Sequence, residues 1–225
     1  MRHGEGHERT DERLPAGRRW GRVDLRLPVP GDVAVTTPTT RTLGRDDWMT
    51  PGELFEPLHV AFDFTGDACA TDEKAARVPR FLSPEQDALR TPWDELGPRV
   101  WCNPPYGRQI SRWFARVENQ VATGAVDLAM MLTFANTDTQ YWRDHVANAP
   151  NCHAVCFLRP RVRFELPGSG GRAGAPKGSA LILFHRWPRI GRWPLHSYGD
   201  WTAPNWIQSS GLGHFSPFAL KRGRA

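Results

Sequence analysis

The chain has 225 residues, 40% of them hydrophobic, and a formal net charge of +5. This length and composition predict one soluble globular domain with tails. No run approaches the roughly 18 apolar residues of a membrane span, and the amino terminus has no signal-peptide core. We therefore expect a cytoplasmic protein with no membrane partner.

The first 45 residues are rich in arginine, glycine, proline and threonine without periodicity, which predicts a disordered basic arm over residues 1–45. Order is expected from residue 46 onward. Thr50, followed by Pro51 and by Glu53 three residues after the cap, has the signature of a helix start with Thr50 as the N-cap.

A short strand is predicted in AFDFTGDACAT, running into a loop at Asp67, with a brief helix from Thr71. A buried strand is predicted in RVWC. Apolar residues then recur at helical spacing from Ile110 to Val121, and Gly124 sits where that helix would end. The near-continuous apolar run AVDLAMMLTF is typical of a central parallel strand covered on both faces.

Another helix is predicted in NTDTQYWRDHVANA, capped by Thr137 or Asp138, and two more strands are predicted in CHAVCFL and SALILFHRW. The alternation of strands and helices predicts an α/β fold with a mostly parallel sheet flanked by helices. The Trp-rich extension over residues 188–225 either packs on the core or stays mobile, and its sequence leaves both open.

The four cysteines are too few and too irregularly spaced for a disulfide framework, so we expect reduced thiols. The stretch NCHAVC offers Cys152, His153 and Cys156 without a second ligand pair. It therefore favours a strand over a zinc site, and no metal is expected.

Positive charge is concentrated between Arg159 and Arg192, where eight cationic residues face one acidic residue, a net +7 against +5 for the chain. Such a block indicates a polyanion partner or a solvated face, and we favour nucleic acid. Arg161, Arg163 and Lys177 are candidate phosphate contacts.

The tetrapeptide Asn103-Pro104-Pro105-Tyr106 directly follows the strand RVWC. Ligands of open parallel sheets bind outside the carboxyl ends of the strands, where this tetrapeptide falls. Each proline holds the residue before it extended, so the turn presents the Asn103 amide and backbone carbonyls to a cleft. Arg108, just after it, is a candidate for holding the flanking backbone of the nucleic acid.

This arrangement suits an exocyclic amino group of a base, which is a poor nucleophile because its lone pair is delocalised into the ring. The Asn103 side-chain oxygen and the Pro104 carbonyl can accept its two hydrogens and favour a pyramidal amine, so that orientation supplies most of the catalysis. Tyr106 can stack on a base swung out of its helix. The alternative is a proline-rich loop with a core tyrosine.

NPPY after a hydrophobic strand is the motif of amino-group methyltransferases that use S-adenosylmethionine, and the wider pattern resembles the phage-type DNA N6-adenine methyltransferase family. The resemblance covers about residues 47–185 and includes WMTP, FTGDACA, DALRTPW, VWCNPPYGRQISRW, MMLTFANTDTQYW, FLRPRVRF and GSALILF. It implies a Rossmann-like class I methyltransferase domain over residues 46–187, acting on adenine N6 in DNA through the NPPY residues.

The resemblance further implies that Trp48, Thr50 and Pro51 border the cofactor, with Asp67 and Asp87 offering carboxylates to its polar groups. The alternatives are that Trp48 only packs in the core and that the two aspartates only stabilise a loop or cap a helix. No GxGxxG loop follows the first strand, so the usual cofactor loop is missing or remodelled, and the sheet is expected to be shortened.

Three alternatives to adenine methylation follow from the same motif: N4 of cytosine, a glutamine amide of a protein, and a catalytically inert nucleic-acid-binding module. The basic segment argues against the protein substrate, and the intact NPPY argues against the inert module. A monomer is the default expectation.

Overall fold

A central six-stranded sheet organises the computed structural model, which describes residues 48–167 and 169–217. The predicted arm over residues 1–45 lies outside them. The strands of the sheet are β1 (Gly66–Asp67), β2 (Arg99–Cys102), β3 (Leu128–Phe134), β4 (Cys152–Arg159), β7 (Ser179–His185) and β8 (Leu195–Asp200). Between β4 and β7, the strands β5 (Arg163–Glu165) and β6 (Arg172–Gly174) form a separate antiparallel hairpin.

The strand order is β1-β2-β3-β7-β4-β8. The pairs β1–β2, β2–β3 and β4–β8 are parallel, whereas β7 pairs antiparallel with both β3 and β4. Five strands therefore point the same way and β7 alone is reversed within this sheet. This confirms the mostly parallel, Rossmann-like α/β fold, and the first strand is only 2 residues long. The five parallel strands all end on one side of the sheet, which we call the carboxyl edge.

Helices cover both faces of the sheet. Their bounds are α1 (Gly52–Phe62), α2 (Ile110–Ala122), α3 (Gln140–Trp142) continued by a π-helical turn (Arg143–Ala147), and α4 (Trp206–Ser209), with 3₁₀ turns at Pro84–Gln86, Asp94–Leu96 and Leu212–Phe215. Alternate residues of β3 enter different cores: Met130 and Leu132 pack with α1 and α4, and Ala129 and Met131 with α2. Both faces of β3 are thus buried, as its apolar run predicts.

The predicted start of α1 is wrong by one residue. Pro51, not Thr50, is the N-cap, and no side chain of the cap residue bonds the helix. The free N–H of Gly52 instead donates to Oε1 of Glu165 at 3.1 Å. A carboxylate from β5 therefore satisfies the helix start and lies favourably at its positive end.

Two other local predictions are also wrong. The stretch from Thr71 forms turns rather than a helix, because the Asp72 carboxylate accepts the backbone N–H of Lys74 and Ala75. The helix α3 begins after Thr139, whose hydroxyl donates to the Asn136 carbonyl instead of capping. Short polar side chains favour such local bonds over helix.

The structure describes the segment after β7 through residue 217. Strand β8 pairs in parallel with β4 and forms an edge of the sheet. Trp206 and Leu212 are buried in the core that contains α1, while Trp187 and Trp193 are exposed. Trp206 and Leu212 therefore belong to the same core as α1 and β3.

We expect Gly66→Ala to destabilise the protein by about 1–3 kcal/mol because it overpacks a site with no room for a methyl group. A Cβ at Gly66 would lie 2.5 Å from Leu96 Cβ and 2.6 Å from the Leu96 carbonyl oxygen. Urea unfolding measures the loss. Gly174→Ala is the matched control, since nothing lies within 4 Å of its new Cβ; equal effects of the two substitutions would contradict the prediction.

Candidate active site

A cavity of about 490 Å³ lies at the carboxyl edge beside β1 and β2. This size is within the range of small-molecule sites. Its walls come from residues 48–50, 67–77, 82–89 and 101–113. The predicted site residues that line it are Trp48, Thr50, Asp67, Asp87, Asn103, Pro105 and Arg108.

Asn103 follows β2 directly and is half-buried. Its Nδ2 donates to the Trp48 carbonyl at 2.9 Å, and its Oδ1 accepts from the Tyr106 hydroxyl at 2.6 Å. A carbonyl can only accept, so the contact with Trp48 fixes which end of the amide is the oxygen. That oxygen has two lone pairs, and Tyr106 uses one, which leaves the second for a ligand.

Tyr106 is held in place on several sides. Its hydroxyl also lies 3.3 Å from the Leu132 carbonyl oxygen. The centroid of its ring lies 4.3 Å from that of Phe134 and 5.8 Å from that of Phe164, to which the ring is edge-on. Burial raises the pKa of Tyr106 above its usual value of 10, so the hydroxyl keeps its proton and remains a donor. Neither Tyr106 nor the buried Pro104 lines the cavity.

The stretch before α1 also lines the cavity and contacts the NPPY turn through the bond from Asn103 to the Trp48 carbonyl. The Trp48 ring stacks on Phe164 with centroids 5.1 Å apart, and Met49 exchanges two backbone hydrogen bonds with Glu165. Thr50 is 2% exposed, and its hydroxyl has no hydrogen-bond partner within residues 48–167 and 169–217. Pro51 lies behind this wall as the N-cap of α1.

Asp67 organises the loop that replaces a glycine-rich turn. Its Oδ1 accepts the Cys69 N–H at 3.0 Å, and its Oδ2 accepts the Arg77 N–H at 3.1 Å. The backbone of Asp67 also bonds that of Arg80 and Leu82, which lays residues 80–82 alongside β1. A buried carboxylate thus supplies the turn that several glycines form in the common fingerprint.

Asp87 lies at the other side of the cavity with a left-handed backbone, φ 47°. Its Oδ1 accepts the Leu89 N–H at 3.2 Å, and its Oδ2 lies 3.4 Å from Nε of the exposed Arg90. The side chain is 47% exposed. Asp87 is therefore more accessible to a ligand than Asp67, whose two oxygens both serve the loop.

The candidate phosphate contacts lie at the carboxyl edge but outside the cavity. Arg161 and Arg163 follow β4 and are exposed, with Arg161 donating to the Pro176 carbonyl at 2.9 Å. Lys177 precedes β7 and donates to Oδ1 of Asn136 at 2.9 Å. These three cations therefore lie on the same side of the sheet as the cavity.

The basic segment does not form one surface. Because β7 runs opposite to its neighbours, Arg186 follows its end and lies at the edge away from the cavity, as does Arg192, which precedes β8. Arg186 pairs with Asp127 at 2.7 Å and stacks on Trp187. The cations of residues 159–192, which are close together in the sequence, are therefore divided between two edges of the sheet.

The four cysteines are free thiols. Burial raises the pKa of Cys69, whose sulfur lies 3.6 Å from that of Cys102. Within the part of the chain that the structure describes, no group of His, Cys, Asp and Glu side chains is arranged to hold a metal ion. Over the same residues, no helix has the length and apolar character needed to cross a membrane.

Comparison with models of known protein families gives a match to the DNA N-6-adenine-methyltransferase (Dam) family over residues 37–199, more than half of the chain. The chain belongs to this family. The match spans the chain from Trp48 to Lys177, and it confirms the resemblance to DNA N6-adenine methyltransferases.

Two solved structures resemble this Dam-family chain at 12% sequence identity. One is the Type IIL restriction-modification enzyme MmeI in complex with DNA, with a TM-score of 0.36; the match covers 55% of this chain and 21% of that one. The other is a Listeria monocytogenes protein described as a class I S-adenosylmethionine-dependent methyltransferase, with a TM-score of 0.44 and 77% and 72% coverage. No curated protein matches the sequence.

Sequence reasoning missed Arg77 and Glu165, a charged pair at the wall of the cavity. Arg77 lines the cavity, and its Nη2 donates to the Thr50 carbonyl and to Oε2 of Glu165, the latter at 2.8 Å. Glu165 also holds the helix start and the backbone of Met49. No local pattern marks this pair, since 88 residues separate its members.

Asp67 is expected to make stability depend on pH. Burial raises its pKa from 3.8 to about 6, so the folded state binds the proton more tightly than the unfolded state. The resulting stabilisation is complete below the unfolded pKa and is lost as pH rises through about 6. A shift of this size is worth about 3 kcal/mol.

Asp67→Asn removes the titration. We expect the free energy of unfolding of the wild type, relative to this variant, to fall by about 3 kcal/mol between about pH 3.5 and about pH 7.5. Urea unfolding across that range measures it. A difference that stays constant with pH would show that burial leaves this carboxyl at its ordinary pKa.

Proposed function

We propose that this protein transfers a methyl group from S-adenosylmethionine to the N6 amino group of adenine in DNA. The observation that carries the proposal is the fixed Asn103 amide at the rim of a cavity on the carboxyl edge. Trp48 and Tyr106 hold both ends of that amide. Family membership supports adenine as the base and DNA as the substrate.

The cavity residues fit the cofactor. Trp48 and Trp101 supply apolar wall, Asp87 offers an accessible carboxylate for hydroxyl or amino groups, and Thr50 has a buried hydroxyl without a partner among the described residues. When bound, the cofactor supplies an electrophilic methyl group on a sulfonium. The residues Trp48, Thr50, Asp67 and Asp87 would hold it, with Pro51 fixing the start of α1 behind them.

The chain's own part in the reaction is to orient the amine. Oδ1 of Asn103 has a free lone pair, and the Pro104 carbonyl accepts no hydrogen bond from the described residues. These two acceptors take the two amine hydrogens and favour a pyramidal nitrogen with an available lone pair. The amine becomes acidic only as its new bond forms, so no strong base has to act beforehand.

Adenine must leave the helix stack to reach this rim, as in other enzymes that act on a base. Tyr106 is the residue proposed to contact its face. Arg161, Arg163 and Lys177 are proposed to contact phosphates at the carboxyl edge, with Arg108 beside the turn. We further propose that the protein acts as a cytoplasmic monomer.

The test is incubation of purified protein with unmethylated DNA and S-adenosylmethionine, followed by nuclease digestion and mass spectrometry of the nucleosides. N6-methyldeoxyadenosine is the expected product. Detection of N4-methyldeoxycytidine would be consistent with the proposed mechanism but would show that the base methylated is cytosine and not adenine. Cofactor binding without either product, on DNA of any sequence, would overturn the proposal and favour an RNA or protein substrate or the inert module.

A further inference from the structure

Arg77 connects the two walls of the cavity. Its backbone N–H donates to Asp67 at the end of β1, and its Nη2 donates to the Thr50 carbonyl before α1 and to Glu165 on β5. The side chain is 17% exposed. A cation this buried is expected to have matched partners on all of its donors.

Its donors are not all matched. Arg77 Nε and Thr50 Oγ1 are buried and lack a hydrogen-bond partner within residues 48–167 and 169–217. Both residues line the cavity. Native structures seldom leave buried donors unpaired, and two in one cavity indicate a ligand with an acceptor group.

The charged residues that line the cavity indicate which kind of acceptor group the ligand carries. The charged residues that line it are Asp67, Arg77, Asp87 and Arg108. Arg108 is exposed beside the NPPY turn, so Arg77 is the cation of the interior wall. A carboxylate taken from water into such a site needs a cation and additional hydrogen-bond donors, and a planar guanidinium matches its geometry.

Glu165 sets the position of that guanidinium. It holds Nη2 with Oε2 at 2.8 Å, while Oε1 accepts the Gly52 N–H at 3.1 Å. Its backbone is fixed to Met49 in both directions. Because Nη2 is occupied, Nε and Nη1, neither of which has a hydrogen-bond partner among the described residues, are left to meet a ligand.

We propose that Arg77 binds the carboxylate of the methionine part of S-adenosylmethionine, that the Thr50 hydroxyl donates to the same carboxylate, and that Glu165 is a positioning residue for Arg77. This rests on the proposed use of S-adenosylmethionine. It assigns the cavity wall formed by residues 50 and 77 to the amino-acid end of the cofactor. The NPPY turn faces the reacting end.

The test compares S-adenosylmethionine with decarboxylated S-adenosylmethionine, which keeps the sulfonium and the amine and lacks only the carboxylate. Isothermal titration calorimetry on the full chain gives both affinities. The wild type is expected to prefer the first ligand by about 10–100-fold, the range for a hydrogen-bonded charged group. Arg77→Gln is expected to abolish most of this preference by weakening the first ligand alone.

Three further variants complete the design. Arg77→Lys keeps a cation beside Glu165 and serves if Arg77→Gln does not fold; it is expected to lose part of the preference. Glu165→Gln is expected to lower the preference by about 3–10-fold, since a guanidinium without its partner is less well placed. Arg143→Gln removes the same charge from an exposed site paired to Asp144 and is expected to leave the preference unchanged.

Two results would overturn the inference. Equal affinity of the wild type for the two ligands would show that the protein does not bind the carboxylate. If Arg77→Gln lowered the affinity for both ligands equally, Arg77 would have a structural role and no direct contact with the carboxylate. A failure of the proposed function is distinguishable. Binding with the expected preference, but without methylated DNA, would refute the activity and leave the assignment of Arg77 standing.

Discussion

Asn103→Ala is expected to lower kcat for DNA methylation by about 10³-fold while leaving the dissociation constant for S-adenosylmethionine within about threefold, because positioned acceptors act on the reacting group and not on cofactor binding. The amide is anchored at both ends, with Nδ2 on the Trp48 carbonyl and Oδ1 on the Tyr106 hydroxyl. Its removal leaves the Pro104 carbonyl as the remaining proposed acceptor for the amine.

Single-turnover kinetics with enzyme in excess would measure the chemical step, and calorimetry would measure the cofactor affinity. Asn119→Ala, on an exposed position of α2, is the matched control and is expected to retain full activity. Asn103→Asp is a stricter probe, since a carboxylate cannot donate to the Trp48 carbonyl. Near-normal kcat in Asn103→Ala would remove the amide from the mechanism.

The double substitution Arg161→Gln and Arg163→Gln is expected to raise KM for DNA by at least about tenfold at physiological salt, with kcat nearly unchanged, because phosphate contacts supply affinity without touching the base. Both residues are exposed after β4 at the carboxyl edge. Loss of two phosphate contacts should also reduce the slope of log affinity against log salt by about 2.

The matched control removes the same charge from the other edge of the sheet. Arg186→Gln with Arg192→Gln takes two cations from the same sequence segment, and we expect little change in KM or in the salt slope. Thermal unfolding of both variants checks that neither has lost its fold. Equal effects of the two double substitutions would mean that net charge, rather than position, determines DNA affinity.

Much of the fold was predictable because burial imposes periodicity. The helical spacing from Ile110 to Val121 and the apolar run of β3 both mark elements that the structure contains. The place of Asn103 was predictable for a different reason: two prolines restrict the backbone wherever they occur, and the strand before them fixes where they lie.

What the sequence did not reveal depends on contacts between distant residues. Thr50 has every local mark of an N-cap, yet a carboxylate 113 residues later satisfies the N–H of Gly52. Likewise Arg161 and Arg186 share one basic segment in the chain, and only the reversed direction of β7 places them at opposite edges of the sheet. Strand direction has no signature in a single apolar run.

The central position of β7 has a consequence for how the chain is made. Strands β3 and β4 leave the ribosome before β7, yet neither has its final inner neighbour until residues 179–185 have been added between them. A nascent chain that ends before residue 179 already contains the NPPY turn, Arg77 and Glu165. It nevertheless has β1, β2 and β3 as one piece of sheet and β4 as a single strand without a neighbour in that sheet, so the six-stranded sheet is completed only after β7 and then β8 have been synthesised.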